Sequence, residues 1–457
     1  MTVLLDTINE HVQRSPQRWA FRCGDQELTW AEIDGAANRV ADDLHRQGLR
    51  RGDRVACGLG GQLDLPVHLL AHLRAGLIHV PVNNRYREPE VDHLFELTTP
   101  AACIGIERES LPGRAEDVPN NAALILSTSG TTGAPKGVLH THQSLYSGIG
   151  SLTKLWKWGP DDHQVLALPL FHIHGLGIGV IGALMRGVPT EILAEFSVEG
   201  VCQAMAKGGT LFMGVPTMYV ALVEHFDNHP SAAKSFERAR LCCAGSASLS
   251  TDILQRFEHH TGHRILERYG MSETLITVSN PLLGERRPGA IGQPIPGVEI
   301  RIEGGVEGEL WVRGPTLMHS YWQNPEASDA ALTQGWFRTG DRVRRDEEGY
   351  LYHQGRLSID WIKSGGWRIG AKELETLLEG HPNVSEAAVF GLPDARWGEI
   401  VAAAIVLNEP VEDPIDHFTA FLEPQIADYK MIRHWRIVDE LPRNSMGKIQ
   451  KTTLIQL

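Results

Sequence analysis

The run Ser127-Thr-Ser-Gly-Thr-Thr-Gly-Ala-Pro-Lys-Gly137 follows directly on the strand-like stretch Ala122–Leu126. Its three glycines let the backbone turn N–H groups toward an anion. The hydroxyls of Thr128, Ser129, Thr131 and Thr132 add donors, and Lys136 adds a positive charge, a combination suited to a polyphosphate. The pattern fails as a Walker loop. Gly130 and Lys136 are correctly separated, but Pro135 stands where that motif requires glycine and Gly137 where it requires the Mg²⁺-binding hydroxyl. P-loop kinases and ATPases are therefore disfavoured, and a polyphosphate held by another cradle is expected.

Outward from this loop the chain reads as α/β. Thr29-Trp-Ala-Glu32 forms a capping box, and Ile33, Ala36, Ala37, Val40 and Leu44 recur at helical spacing until Gly48. Short β-like runs such as Ala122–Leu126 and Thr210–Met213 alternate with helical segments, which favours a mostly parallel sheet with helices on its faces. After about residue 355 the character changes to a short amphipathic helix, Ala371–Glu379, two strand-like runs, Ala387–Phe390 and Val401–Leu407, and a helix near Phe418. The expected organisation is a large domain over 1–355 and a small α+β domain over 356–457.

The chain has 457 residues, with 43 Lys and Arg against 56 Asp and Glu and a net charge of −13. That balance argues against a general nucleic-acid binder. The most apolar stretch, Leu176–Met185, stops at Arg186, far short of the roughly 20 residues that span a bilayer. The six cysteines are scattered and fit neither a disulfide framework nor a zinc ribbon. Free thiols in a reducing cytosol, with neither nucleic-acid nor membrane partners, are the expectation.

Four further motifs follow the phosphate loop: Tyr269-Gly-Met-Ser-Glu-Thr274, Trp336-Phe-Arg-Thr-Gly-Asp341, Gly355-Arg356 with Ile362-Lys-Ser-Gly-Gly366, and Pro442-Arg-Asn-Ser-Met-Gly-Lys448. In this order the set resembles the adenylate-forming superfamily of acyl-CoA synthetases, luciferases and peptide-synthetase adenylation domains, over nearly the whole chain. The resemblance implies stacked α/β subdomains in the large domain and a small domain that moves between two half-reactions. It also implies the chemistry: a carboxylate attacks the α-phosphorus of MgATP, and a thiol, usually coenzyme A, then displaces AMP from the acyl-adenylate.

Residue by residue, the resemblance implies that Thr128, Ser129, Gly130, Thr131, Thr132, Gly133 and Lys136 cradle the β- and γ-phosphates. Ser272, where the family more often has Thr, would reach the α-phosphate, and Glu273 would hold Mg²⁺. Tyr269 and Gly270 would lie against adenine, with Gly245, Ser246 and Ala247 as the other wall. Asp341 and Arg356 would take the ribose. Lys448 would bridge carboxylate and α-phosphate in the transition state. Gly365, Gly366 and Trp367 would line the thiol tunnel. One residue more than usual separates Arg356 from Lys363, so the hinge could be Ser358, Ile359 or Asp360; Ser358 is favoured. The segment ending at Lys448 also resembles sites of lysine acetylation, which makes an acetyltransferase a candidate partner.

The acid is read from Phe171-His-Ile-His174-Gly-Leu176 and from Ser279–Gly292, which resemble the malonyl-CoA synthetase branch. There Arg286 would pair with the carboxylate that is not activated, and His174 would add a hydrogen bond. A second charge stranded in a dry pocket would be costly, and a guanidinium suits a carboxylate better than an ammonium does. Malonate and methylmalonate both fit. Other short or aryl monocarboxylic acids, or a carrier-protein thiol in place of CoA, are the alternatives. A metal at His172 and His174 is disfavoured, because no Cys or carboxylate stands at ligand spacing.

Overall fold

The computed structural model describes residues 2–59, 63–108, 111, 118–128, 135–247, 249–357, 360–364, 367–394, 396–444 and 447–456, the Arg368 side chain excepted. Of the residues singled out above, Ser129, Gly130, Thr131, Thr132, Gly133, Ser358, Ile359, Gly365 and Gly366 lie outside that set.

Two compact units divide the chain. The first takes the residues up to Ile300 together with Val312–Phe337. Among its described residues, one sheet runs Gln293–Pro294, Leu275–Ser279, Ile265–Met271, Leu241–Ala244, Leu211–Gly214, Gln164–Leu166, Thr190–Ile192, Trp19–Cys23 and Gln26–Thr29. Its centre is parallel and only its ends are antiparallel. Helices cover a parallel centre on both faces, so every residue of Leu211–Gly214 and Leu241–Ala244 is buried. A second sheet runs Ser320–Tyr321, Lys136–Thr141, Ala122–Thr128, Ile78–Pro81, Arg54–Cys57 and Ala102–Ile104. The helix Trp30–Arg46 carries the capping box at Thr29 and Glu32 and buries Ile33, Ala37, Ala41 and Leu44.

The apolar stretch after Phe171 forms a π-helical segment, Ile173–Ile181, continued by the helix Gly182–Arg186. No helix among the described residues is long and apolar enough to cross a membrane.

The second unit comprises Arg301–Trp311 and Arg338–Leu457, so the composition change near 355 is not where the compact units divide. The physical reason is strand pairing: Trp336–Arg345 and Leu351–Arg356 are antiparallel partners, with Arg342 opposite Gly355 and Asp341 opposite Arg356. A cut at 355 would sever that ladder.

Beyond it, Gly398–Leu407 lies between Val384–Asp394 and the parallel strand His434–Ile437. Alternation along these strands sends Ala387, Val389, Val401, Ala403 and Ile405 to one face, where they meet Leu374, Leu378, Phe418 and Leu422 of two helices. Ala388, Phe390, Ala402 and Ala404 point to the other face and meet Leu441 and Leu454. The sheet of this unit is therefore covered on both sides, and the C-terminal helix Lys451–Gln456 is held to it by Leu454.

Candidate active site

In the first unit the ends of the phosphate loop are fixed by the hairpin of Ala122–Thr128 and Lys136–Thr141. The Thr128 hydroxyl donates to the Lys136 carbonyl at 3.2 Å and accepts the Lys136 N–H at 3.3 Å. Strand Ser320–Tyr321 pairs with the same hairpin, Tyr321 opposite Val138, and this brings the Lys136 ammonium to 4.8 Å from the Tyr321 ring. The Tyr321 hydroxyl donates to Glu273 Oε1 at 2.9 Å. Tyr321 thus joins the phosphate-loop lysine to the acidic residue of the Tyr269–Thr274 motif. Glu273 is buried, and its hard carboxylate oxygens suit Mg²⁺ carried on phosphate oxygens.

Ser272 is placed from the same hairpin. His140, fully buried, donates from Nε2 to the Ser272 carbonyl at 2.6 Å, while its Nδ1 lies 3.0 Å from Ser144 Oγ. Desolvation lowers the His140 pKa to about 4, so the ring is neutral and its single N–H serves that carbonyl. Tyr269 and Gly270 lie at a register shift where Ile265–Met271 pairs with Leu275–Ser279. A Cβ at Gly270 would fall 1.9 Å from the Leu275 carbonyl oxygen, so only glycine allows this approach.

The parallel register Ala244 opposite Glu267 sets Gly245 beside Arg268. A Cβ on Gly245 would lie 2.3 Å from Arg268 Cζ, which shows that the guanidinium fills the space above this glycine. The next residue, Ser246, takes φ +74° and turns the chain away. Arg268 is buried, and its Nε and Nη2 have no hydrogen-bond partner. The ionisable groups acting on it are Cys243 and Tyr219. Burial pushes the Cys243 thiol up to about 11 and the Tyr219 phenol well above its usual value, so both are neutral at pH 7. Beside this cation stands His174, buried in the π-helical segment with neither ring nitrogen partnered. Desolvation, with Arg268 and His172 adding to it, holds the His174 pKa well below the ordinary histidine value. Among the described residues, two nitrogens of this buried arginine and both ring nitrogens of His174 lack a hydrogen-bond partner, an arrangement suited to a ligand's negative charge.

Arg286 does not hold that position. Its guanidinium donates to the backbone carbonyls of Pro281, Leu282 and Arg264, at 3.1 Å and 2.7 Å for the first two. It lines an open cleft of about 280 Å³ with Arg240, Cys242, Glu258, His263 and Arg264. Cys242, which it faces, and Cys243, which faces Arg268, are consecutive on one strand and point to opposite sides of the sheet. Arg286 therefore closes its own loop, and the structure places Arg268 with His174 instead. The signal for Arg268 lies one residue before Tyr269: a charged residue on a strand whose neighbours Ile265 and Leu266 are buried. Nothing local marks Tyr321 or His140, which reach the site through pairing of distant segments.

In the second unit Asp341 is buried and receives Arg356 Nε at 2.9 Å, with His353 Nε2 3.6 Å away. The strand register that opposes Asp341 to Arg356 makes this pair. Lys448 follows Gly447, whose φ is +72°, in a turn closed by a bridge between Arg443 and Ile449. Its backbone N–H donates to Asn444 Oδ1 at 3.0 Å. The residue is exposed, yet crowding of its ammonium by protein atoms, with Arg356 next in weight, lowers its pKa, while Asp341 and Asp360 act in the opposite sense. Trp367 is exposed and stacks on Tyr429 with ring centres 4.5 Å apart.

Among the described residues no group of three or more His, Cys, Asp or Glu is arranged to hold a metal. The features that remain are a lysine-capped phosphate hairpin, a buried glutamate, an Asp–Arg pair and a turn lysine, each on a different strand or turn. They are the parts of a nucleotide-activating ligase, and the whole-chain comparison agrees: residues 8–117 and 105–322 match the AMP-binding enzyme family and 373–448 match its C-terminal domain. The chain belongs to that family.

Within it, the chain is 37% identical over 478 residues to a mitochondrial malonate–CoA ligase of Bos taurus, covering 89% of this chain and 81% of that protein. It is 38% identical over 403 residues to a probable CoA ligase of Humulus lupulus, covering 80% of this chain but 65% of the hop protein, a little under two thirds of its length. ATP-bound MatB from Rhodopseudomonas palustris superposes with a TM-score of 0.90 at 31% identity, covering 99% of this chain and 98% of the other.

Proposed function

We propose that this protein is an ATP-dependent, AMP-forming malonate–CoA ligase. The likeness to a malonate–CoA ligase and to MatB supports the substrate class. The single observation that carries the choice of acid is the buried Arg268, two of whose nitrogens lack a partner, beside neutral His174. One malonate carboxylate docks there, the guanidinium donating through the two nitrogens that lack partners. The other carboxylate is left to react.

In the first half-reaction a carboxylate oxygen bonds to the α-phosphorus of ATP and the bond to the β-phosphate oxygen breaks, releasing pyrophosphate. Two anions must approach, so the donors at Thr128 and Lys136 and the ammonium of Lys448 lower the barrier by offsetting charge as it develops. Glu273 would hold Mg²⁺, which would supply further charge neutralisation on the phosphates, and Asp341 with Arg356 orients the nucleotide through its ribose. In the second half-reaction the CoA sulfur, its thiol proton passing to solvent, bonds to the acyl carbon; the acyl C–O bond breaks, and AMP leaves with the bridging oxygen that came from the carboxylate and the electron pair of that bond. A short apolar wall of Leu275, Ile276 and Val278 leaves methylmalonate as a second acceptable acid. The free thiols, three of them buried, suit the reducing cytoplasm we assign to it.

The test is an acid panel. Purified protein is given ATP, Mg²⁺ and CoA with malonate, methylmalonate, acetate, propionate or benzoate, and AMP and the thioester are measured. The expected result is malonyl-CoA formation with kcat/KM at least about tenfold above the monocarboxylates. Efficient use of a monocarboxylate with no malonyl-CoA would overturn the reading.

A further inference from the structure

Five charged residues of the second unit are linked in sequence: Asp341, Arg356, Asp360, Lys451 and Glu375. Arg356 Nε meets Asp341 at 2.9 Å, and its backbone N–H donates to Asp360 Oδ2 at 2.8 Å. The Lys451 ammonium donates to Asp360 Oδ1 and lies 2.6 Å from Glu375 Oε1. Glu375 is itself fixed, because the Val389 N–H donates to the same oxygen at 3.0 Å. The side chains of Lys451 and Glu375 are 11% and 9% exposed, so solvent and salt screen this group weakly.

We propose that Lys451 is a positioning residue for Lys448: clamped by Asp360 and Glu375, it anchors the turn that presents the catalytic ammonium. This rests on the ligase reading above. Lys448 is exposed and follows a glycine with positive φ, so the placing of its ammonium near Arg356, Asp341 and Asp360 depends on the turn that carries it. Its backbone is held on the N-terminal side by the Arg443–Ile449 bridge and the Arg443–Glu386 ion pair. On the C-terminal side the Gln450 N–H donates to the Pro442 carbonyl at 2.7 Å, and the side-chain holds that follow are Lys451 and the buried Leu454. Leu454 fixes the helix against the sheet, but an apolar contact is non-directional. The ammonium between two carboxylates fixes rotation as well, and it ties that rotation to Asp360, whose other oxygen holds the Arg356 backbone. The clamp therefore sets Lys448 against the same Arg356–Asp341 pair that shapes its electrostatic surroundings.

The test uses the full-length enzyme carrying Lys451→Met or Lys451→Arg. Adenylation is read as malonate-dependent exchange of pyrophosphate into ATP, and thiolation as CoA capture of supplied malonyl-AMP. Misplacing a catalytic group by about 1 Å costs on the order of 10²-fold. Lys451→Met is therefore expected to lower exchange kcat by about 10²-fold with KM for ATP within about threefold, and to leave thiolation within about threefold. Lys451→Arg, which keeps a cation between the two carboxylates, is expected to recover exchange to within about tenfold of the parent. Equal losses in both half-reactions would show a purely structural role, and unchanged exchange would show no role; either overturns the proposal. If Lys451→Met does not fold, Asp360→Asn is read in the same way. If the parent exchanges pyrophosphate with another acid and not with malonate, the substrate reading fails and the clamp is tested with that acid.

Discussion

Replacing Arg268 by methionine separates binding from folding with one substitution. In the free protein Arg268 is a buried cation with two unpartnered nitrogens and no ionised neighbour at pH 7. Replacing a buried, poorly compensated charge with an apolar side chain of similar volume is neutral or stabilising by about 1–4 kcal/mol. Arg268→Met is therefore expected to raise the unfolding free energy of the unliganded enzyme, read by urea denaturation. The bound dicarboxylate has the opposite interest. Truncating one partner of a buried, hydrogen-bonded charge pair costs about 2–5 kcal/mol, and at about 1.4 kcal/mol per decade that is roughly 30- to 4,000-fold in kcat/KM for malonate. Acetate and propionate never reach the guanidinium, so their kcat/KM should stay within about threefold or rise. Malonate should also raise the melting temperature of the parent and not of the variant. A variant that is less stable, yet keeps malonate kcat/KM within about threefold, would show Arg268 to be a framework residue and refute the reasoning.

Three further outcomes are expected. Tyr321→Phe removes the hydroxyl bonded to Glu273 while keeping the ring under Lys136; the loss of one charge-assisted hydrogen bond, about 1.5–3 kcal/mol, should cut pyrophosphate exchange by about 10- to 100-fold and weaken the dependence on added Mg²⁺. Lys448→Gln, the neutral mimic of acetyl-lysine, should abolish exchange and spare thiolation of malonyl-AMP, whereas equal loss of both would contradict the adenylation role. Acid should destabilise the first unit. Burial lowers the pKa of His79 to about 3 and of His140 and His142 to about 4, against 6.5 when unfolded, so the unfolded chain binds more protons in that window. Their stabilising contribution is complete above pH 6.5 and is lost as pH falls toward 4. Glu267 runs the other way: burial raises it from 4.5 to about 7, and its contribution is lost as pH rises through that range. Three groups outweigh one, and stability measured by denaturant should fall by about 3 kcal/mol or more from pH 7 to pH 5; a flat profile would contradict the assignment.

Much of the fold was readable because local rules agreed with one another. The capping box at Thr29 and Glu32, the helix Ala371–Glu379 and the paired strands around Ala387–Phe390 and Val401–Leu407 each carry a periodicity that matches their burial. The domain boundary was not readable from composition, because an antiparallel ladder joins residues on both sides of 355. The site divides in the same way. Glu273, Asp341, Arg356 and Lys448 belong to contiguous motifs, and their roles are proposed by resemblance. Arg268, Tyr321 and His140 act through partners 94, 48 and 132 positions away, at His174, Glu273 and Ser272, and no window of sequence contains both ends. Arg268 was passed over in favour of Arg286 because two arginines 18 residues apart are equivalent in composition. Only strand parity, Cys242 to one side and Cys243 to the other, separates the loop-closing guanidinium from the buried one.

A net charge of −13 sets the long-range field against ATP, CoA and malonate alike, so selection cannot come from attraction at a distance. It has to come from what is left unpaired at close range. On the proposed reading, a monocarboxylate bound for activation leaves Nε and Nη2 of Arg268 and the His174 ring as the free protein leaves them, buried and without hydrogen-bond partners, and gains nothing from them. A dicarboxylate satisfies both, and in doing so removes a penalty the fold already carries. Discrimination built this way grows with the cost of the empty receptor, since a site whose buried polar groups stay unpaired rejects the analogue that cannot pair them far more strongly than an apolar pocket rejects a missing methylene. The same logic makes the neutral state of His174 necessary. A second cation beside Arg268 would compete for the one carboxylate and repel the guanidinium, whereas a neutral ring can donate one hydrogen bond to it without adding charge. Burial, with Arg268 adding to it, lowers the His174 pKa and maintains that neutrality.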